Sequence, residues 1–599
     1  MTTNEKIAQL RERMKKDHLD AYYVNTADPH QSEYISDYYK ERAWLTGFSG
    51  SAGYALVTMK EALLWADGRY FIQAEKQIAG SEFRLMKMDT PGYPDLIGWL
   101  RENLAPGSKL GMCDYMVSQA FYEKLSAALS PCKIHLVADG SLIGDFWKDR
   151  PALPKGKLFL HELQFTGKTA AQKIAELRAK MKADRVEAQL LAGLDDIAWL
   201  YNYRGNDVED NPVALAFALI TMKEAKLFID PDKVGPEVKK NLEENGIEVL
   251  DYEQVNSAVH ELREESIALN KQRINRRLFR TLPEKIRVVD QRDYPTLMKA
   301  CLSEVELKNQ MKAYVRDSAV ITRFLFWVKR EVSKGSRLTE WDTVEKLHAL
   351  RLPLENFIQE SFSTIAAYGP NAAMMHYSPS PENSAELKAR GFFLCDCGSQ
   401  FYDGTTDVTR TIALGPLTDE EIHDFTLTLK SHISLARVIF LEGVTGHYID
   451  IIAREPLWRE YMDYKCGTGH GVGYVLGVHE GPQRISKAGV GAVVLHEGMV
   501  VTNEPGVYKE GKHGIRLEND CVVSFAAERG GDRFLRLETC TLVPLDRSAI
   551  DVSLLSDEEL EWLNSYHARV EKELLPLMSS EEERSELKAA CAPLKRCAS

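Results

Sequence analysis

Four carboxylates and one imidazole stand in short motifs of the later part of the 599-residue chain: Asp396, Asp407, His470, Glu504 and Glu518. The run GFFLCDCGSQFYDGTTDVTRTIAL (391–414) has two strand-prone stretches around the turn-forming Tyr402-Asp403-Gly404, which predicts a hairpin. Asp396 falls in its first strand and Asp407 in its second, so the two acids come close together. Carboxylates at that distance repel unless a cation lies between them. Asp396 follows Phe392-Phe393-Leu394-Cys395, and a charge inside an apolar strand needs a partner. His470 stands among glycines in Cys466-Gly-Thr-Gly-His470-Gly-Val-Gly473, which let backbone approach a crowded centre while the imidazole points inward. GMVVTNEPGVY (498–508) and GIRLEND (514–520) each deliver one glutamate from a strand, Glu504 and Glu518. Two divalent cations carry four positive charges and balance four carboxylates. Oxygen-rich coordination favours hard or borderline ions such as manganese, cobalt or magnesium over a thiolate zinc site. Carboxylates can bridge two ions about 3.5–4 Å apart, and the pair then shares a hydroxide nucleophile.

Single residues exclude other chemistries. After His479-Glu480 the second histidine of a zinc-binding HExxH is replaced by Gln483, and after His496-Glu497 by Val500. Val472 occupies the third glycine of a GxGxxG, and no GKS or GKT follows. No GxSxG occurs. The ten cysteines, Cys597 the last of them, form no CxxC pair and read as free thiols of a reducing cytosol.

The positioning elements begin with an internal echo. Residues 55–67 read ALVTMKEALLWAD and residues 218–230 read ALITMKEAKLFID. Each predicts a β-hairpin. An AWL tripeptide precedes both, at Ala43–Leu45 and Ala198–Leu200, and a helix-like segment precedes each tripeptide. Matching signals in one order predict two copies of an α/β domain. The Pro- and Lys-rich DRPALPKGK (149–157) reads as a linker, and a second break falls near Asp290–Pro295. The expected domains are therefore 1–152, 153–302 and 303–599, the last ending in a helical extension from 551 whose final few residues are expected to lack order. Net charge is −13, which argues against nucleic acid as a partner. The N-terminus lacks an apolar secretory core and no window reaches 18 uninterrupted apolar residues, so a cytoplasmic protein without a membrane span is expected.

DCGSQFYDGTTDVTRT, GTGHGVG, VHEGP, TNEPGVY and GIRLEND, in this order and spacing, resemble the pita-bread metallopeptidases, and among them the long, three-domain type of the Xaa-Pro aminopeptidase (aminopeptidase P) family. The resemblance covers essentially the whole chain. It implies an α/β (α+β) architecture of two creatinase-N-like domains followed by a pita-bread catalytic domain. It also implies two metal ions, most simply manganese, and a homodimer. By the same resemblance Asp396 is the ligand of one metal, Asp407 and Glu518 bridge, and His470 and Glu504 hold the second. Glu504 is also the general base of the bridging hydroxide. His376, in NAAMMHYSP, and His479, in VHEGP, match substrate-side histidines that steady the scissile carbonyl and the oxyanion. Arg516 matches an arginine that orients the carboxylates and binds on the substrate side. One position departs: Cys466 stands where many members carry a histidine. The implied activity is removal of the N-terminal residue from peptides with proline second. The alternatives are a prolidase-type Xaa-Pro dipeptidase, or a binding protein of the same fold, which would have lost the ligands.

Overall fold

The computed structural model describes residues 1–596, so Cys597 and the last residues of the expected tail lie outside the described residues. The chain forms two compact units, one of residues 1–163 and 168–296, the other of residues 164–167 and 297–599.

The first unit holds two six-stranded mixed sheets, and they repeat each other. Counting each sheet's strands in chain order, both run 4-3-2-1-5-6. In both, the first two strands are antiparallel and the first and fifth are parallel. The echoed hairpins are Tyr54–Thr58 with Ala62–Ala66, and Ala216–Thr221 with Ala225–Ile229. The helices ahead of them, Thr3–Lys16 and Ala170–Ala183, both open on a capping box, Thr2 with Glu5 and Thr169 with Gln172. Both AWL tripeptides lie in short helices, Glu41–Thr46 and Leu194–Leu200. Residues 151–158, in and just beyond the expected linker, have no regular structure.

Polar side chains join the two sheets' loops. Buried Asp114 takes Arg277 at 2.9 Å and Arg280 at 2.6 Å. The fully buried His30 reaches the Ala192 carbonyl at 3.1 Å through Nδ1 and the Tyr252 hydroxyl at 2.9 Å through Nε2.

The second unit is built on antiparallel strands with helices against them. The strand Phe392–Cys397 lies between Ile365–Tyr368 and Val408–Ala413. Its side chains alternate between faces. Phe393, Cys395 and Cys397 pack on Val320, Phe324 and Val328 of the long helix Glu304–Ser333. Asp396 therefore shares the other face with Phe392 and Leu394. A second sheet pairs Val500–Asn503 with Asn519–Arg529, which in turn pairs with Asp532–Thr539. The helices Asp419–Ala436 and Asp557–Leu574 close one core through Phe425, Leu429, Ile433, Leu563 and Val570. No helix among the described residues is long and apolar enough to cross a membrane.

Candidate metal centre

Strand register sets where the first two acids point. Asp396 pairs with Thr409, and Asp407 lies two residues before Thr409, on the same face. The expected hairpin forms, with Tyr402 and Asp403 at its turn, but it is kinked. Pairing stops at Cys397↔Val408 and resumes at Gln400↔Thr405. Asp407 is thus not in the second strand, as expected, but in the kink just ahead of it. Its amide has no ladder partner there and donates to Asp520 Oδ2 at 3.0 Å instead.

The two glutamates likewise sit at junctions rather than inside strands. Glu504 follows Val500–Asn503, and Glu518 falls between His513–Arg516 and Asn519–Arg529. Their amides donate outward, Glu504 to the Thr468 carbonyl at 2.9 Å and Glu518 to the Thr409 carbonyl at 3.1 Å. His470 ends the short strand Gly469–His470. The flanking glycines are required by close approach: a Cβ on Gly469 would lie 1.9 Å from the Thr502 carbonyl oxygen, and one on Gly471 2.0 Å from that of Glu480.

These five side chains converge. Ligand atoms of Asp396, Asp407 and Glu518 lie within 4.8 Å of one another, as do those of His470, Glu504 and Glu518. His470 Nε2 stands 3.4 Å from Asp407 Oδ2 and 3.5 Å from Glu504 Oε1. A third such group joins Asp407, His470 and His479, and the His470 and His479 rings meet edge to face at 4.3 Å. Burial, then the charges of Asp396, Asp520 and Glu504, push the Asp407 carboxyl well above the ordinary range. Burial, then Asp407, Glu504 and Asp396, do the same to Glu518.

The Arg516 guanidinium faces this charge from within the protein. Arg516 Nη2 donates to Asp396 Oδ2 at 2.5 Å, which answers the need of an acid inside an apolar strand. Burial opposes the arginine's charge, but the Tyr508 phenol and the Asp396, Glu504 and Glu518 carboxylates outweigh it and hold it protonated. Arg516 also donates to Tyr508 at 2.8 Å and to the Thr409 hydroxyl at 3.1 Å. That hydroxyl donates on to Glu518 Oε2 at 2.6 Å. The Arg516 guanidinium leaves most of the negative charge unbalanced. The buried Asp396 Oδ1 has no hydrogen-bond partner. Oxygen-rich donors with an unsatisfied buried carboxylate oxygen fit hard divalent cations.

His376 lies in a turn whose preceding residue, Met375, accepts Arg516 Nη2 at 3.3 Å. Cys466 belongs to none of the three ligand groups. It packs with Leu457, Tyr464 and Val507, and burial, then the charge of Glu504, pushes its thiol up to about 12. It therefore supplies neither a positive charge nor a thiolate. Sequence reasoning missed four supporting residues. Lys299 pairs with Glu480 at 2.8 Å, both side chains buried, behind His479. Arg410 donates to the Glu518 carbonyl at 2.6 Å, and His432 touches Asn503 and Asn519. The asparagines beside both glutamates in TNEP and LEND were the available signal.

The chain is similar to known proteins along essentially its whole length. Metallopeptidase family M24 matches residues 309–524, and its C-terminal region matches 533–594. The creatinase/prolidase N-terminal domain matches twice, at 6–141 and 149–306. A probable Xaa-Pro aminopeptidase P of Laccaria bicolor is 37% identical over 99% of this chain and 94% of its own. Aminopeptidase P2 of Arabidopsis thaliana is 37% identical over 94% of this chain and 84% of its own. The crystal structure of X-prolyl aminopeptidase from Caenorhabditis elegans, described as a cytosolic enzyme with a di-nuclear active site, has a TM-score of 0.95. It is 34% identical and covers 99% of this chain and 100% of its own. The expected fold class, two creatinase-N-like domains and then a pita-bread domain, is the one observed. The chain belongs to metallopeptidase family M24, and within it to the Xaa-Pro aminopeptidase P group, with two creatinase/prolidase N-terminal domains ahead of the peptidase domain.

Proposed function

We propose that the protein is a metal-dependent exopeptidase that removes the N-terminal residue from peptides with proline in the second position. The observation that carries this reading is the full-length likeness to aminopeptidases P, in a chain whose five acidic and imidazole groups converge. Asp396, Asp407, His470, Glu504 and Glu518 would hold the two ions, Asp396 serving one, His470 and Glu504 the other, and Asp407 and Glu518 both. Two divalent ions held there would activate a water molecule and polarise the scissile carbonyl.

The chain's own residues do the rest. Glu504 is partly exposed, and its Oε1 accepts from the Thr502 hydroxyl at 3.3 Å. It can take the proton of the attacking water and pass it to the leaving amine. His376 and His479 donate to the carbonyl and then to the oxyanion. Arg516 holds Asp396 in place. The Xaa-Pro bond is a tertiary amide with no N–H, so a site reading the pyrrolidine ring by shape needs no acceptor there.

Manganese is the proposed ion on the oxygen-rich donor set. EDTA should inactivate the enzyme and manganese should restore it best; better rescue by zinc would overturn that choice. The same reading takes 1–152, 153–302 and 303–599 as the domains and the cytoplasm as the compartment. It also takes a homodimer as the working form. The exposed stripe Tyr448, Ile451 and Trp458 on the helix Gly446–Arg459 supports self-association, which sedimentation would test.

The decisive assay compares Arg-Pro-Pro with Xaa-Pro dipeptides. Release of free arginine from the tripeptide is expected. Cleavage confined to dipeptides would assign the chain to the prolidase type.

A further inference from the structure

We infer that His432 is a positioning residue that fixes the spacing of Glu504 and Glu518, and with it the hold on a divalent ion at the His470–Glu504–Glu518 group. The inference rests on the two-ion reading above. Its starting point is the end of a strand ladder. Val500–Asn503 and Asn519–Arg529 pair antiparallel, and the last pair is Asn503↔Asn519. One step further, Glu504 and Glu518 would face each other directly. Like charges directly opposite destabilise a ladder. Here the strands part: the Glu504 amide turns to the Thr468 carbonyl, just ahead of the strand Gly469–His470, and the Glu518 amide to Thr409 in the strand Val408–Ala413.

His432, fully buried on the helix Asp419–Ala436, closes the ladder at that point. Its Nδ1 lies 3.1 Å from the Asn503 carbonyl oxygen and its Nε2 lies 3.0 Å from Asn519 Nδ2. Asn503 Nδ2 donates back to the His432 carbonyl at 2.9 Å. The direction of each bond follows from Arg410. Its Nη2 donates to Asn519 Oδ1 at 2.7 Å, so the amide nitrogen of Asn519 is the atom facing the ring. Nε2 must then accept, and Nδ1–H must donate to Asn503. The ring is neutral with one defined tautomer. Burial, then the charge of Arg410, holds its pKa down to about 3 against the pull of the Asn503 and Leu517 carbonyls, and so favours the neutral ring. One rigid imidazole therefore ties together the two residues from which the glutamates leave. It explains why TNEP and LEND both carry asparagine beside glutamate.

The test is calorimetric titration of the metal-free full-length chain with Mn²⁺. The wild type, His432→Phe and Leu429→Ala are compared. Phenylalanine keeps the ring and removes both bonds. Leu429 is buried on the same helix and has no part in this network, so its variant reports general destabilisation. The wild type is expected to bind two ions. His432→Phe should bind one of them about 10–100-fold more weakly, with Leu429→Ala at wild-type affinity. Should His432→Phe fail to fold, His432→Asn, which keeps a donor toward Asn503, carries the test with a smaller loss expected. Wild-type affinities in the folded His432 variant, or an equal loss in Leu429→Ala, overturn the inference. A wild-type chain that binds no second ion overturns the two-ion reading and this inference with it.

Discussion

Arg516 donates from Nη2 to Asp396 Oδ2 at 2.5 Å, while Oδ1 of the same carboxylate is buried without a hydrogen-bond partner. Half of this acid is satisfied by the protein and half is left for something the site is built to receive. The guanidinium is fixed by three further acceptors, the Tyr508 and Thr409 hydroxyls and the Met375 carbonyl. Lysine can supply the charge but not that planar fork. Arg516→Lys should fold normally and lose about 10–100-fold in kcat. Steady-state kinetics on Arg-Pro-Pro checks this, and a rate within twofold of wild type would speak against an orienting role.

Three carboxylates, Asp396, Asp520 and Glu504, oppose the charge of Asp407, and it belongs to two of the three ligand groups. Asp407→Ala should leave no measurable turnover and at most one bound ion. Near-normal rates in that variant would remove Asp407 from the centre.

The buried Lys299–Glu480 pair is a stability element behind the His479 loop. Removing one partner of a buried pair strands the other charge and costs about 3–5 kcal/mol. Lys299→Met should therefore lower the urea midpoint of the unit that contains both residues. Lys299→Met with Glu480→Gln should recover part of the loss. An unchanged midpoint in the single variant would show that the pair contributes nothing net.

Acid lability should come partly from His30. Burial lowers its pKa to about 4, below the ordinary value near 6.5. Between those values the unfolded chain binds a proton that the folded chain refuses. Its contribution is thus fully present above pH 6.5 and is lost as pH falls toward 4, by about 3 kcal/mol. His30→Phe, whatever its stability at neutral pH, should lose less than wild type over that interval. Parallel acid limbs in chemical denaturation would contradict this.

Legibility tracked distance along the chain. The duplicated hairpins were readable because a hairpin's pairing lies within a dozen or so residues, and both copies carry their apolar alternation intact. Asp396, His470, Glu504 and Glu518 were readable because each stands in a motif with local glycines, prolines or apolar strand residues. Strand propensity carries the second strand one residue too far, over Asp407, because a kink between two ladders leaves no trace in it. Lys299 and His432 were invisible for a different reason. Their partners lie in the 480, 503 and 519 regions, and only the completed packing of helix on sheet brings them together.

The most direct test follows metal content and arginine release from Arg-Pro-Pro together, as Mn²⁺ is returned to the metal-free full-length protein. Release is expected to be absent without metal and to reach its maximum at two ions per chain. Full activity without metal, or a loaded chain with two ions that releases no arginine, would contradict the account.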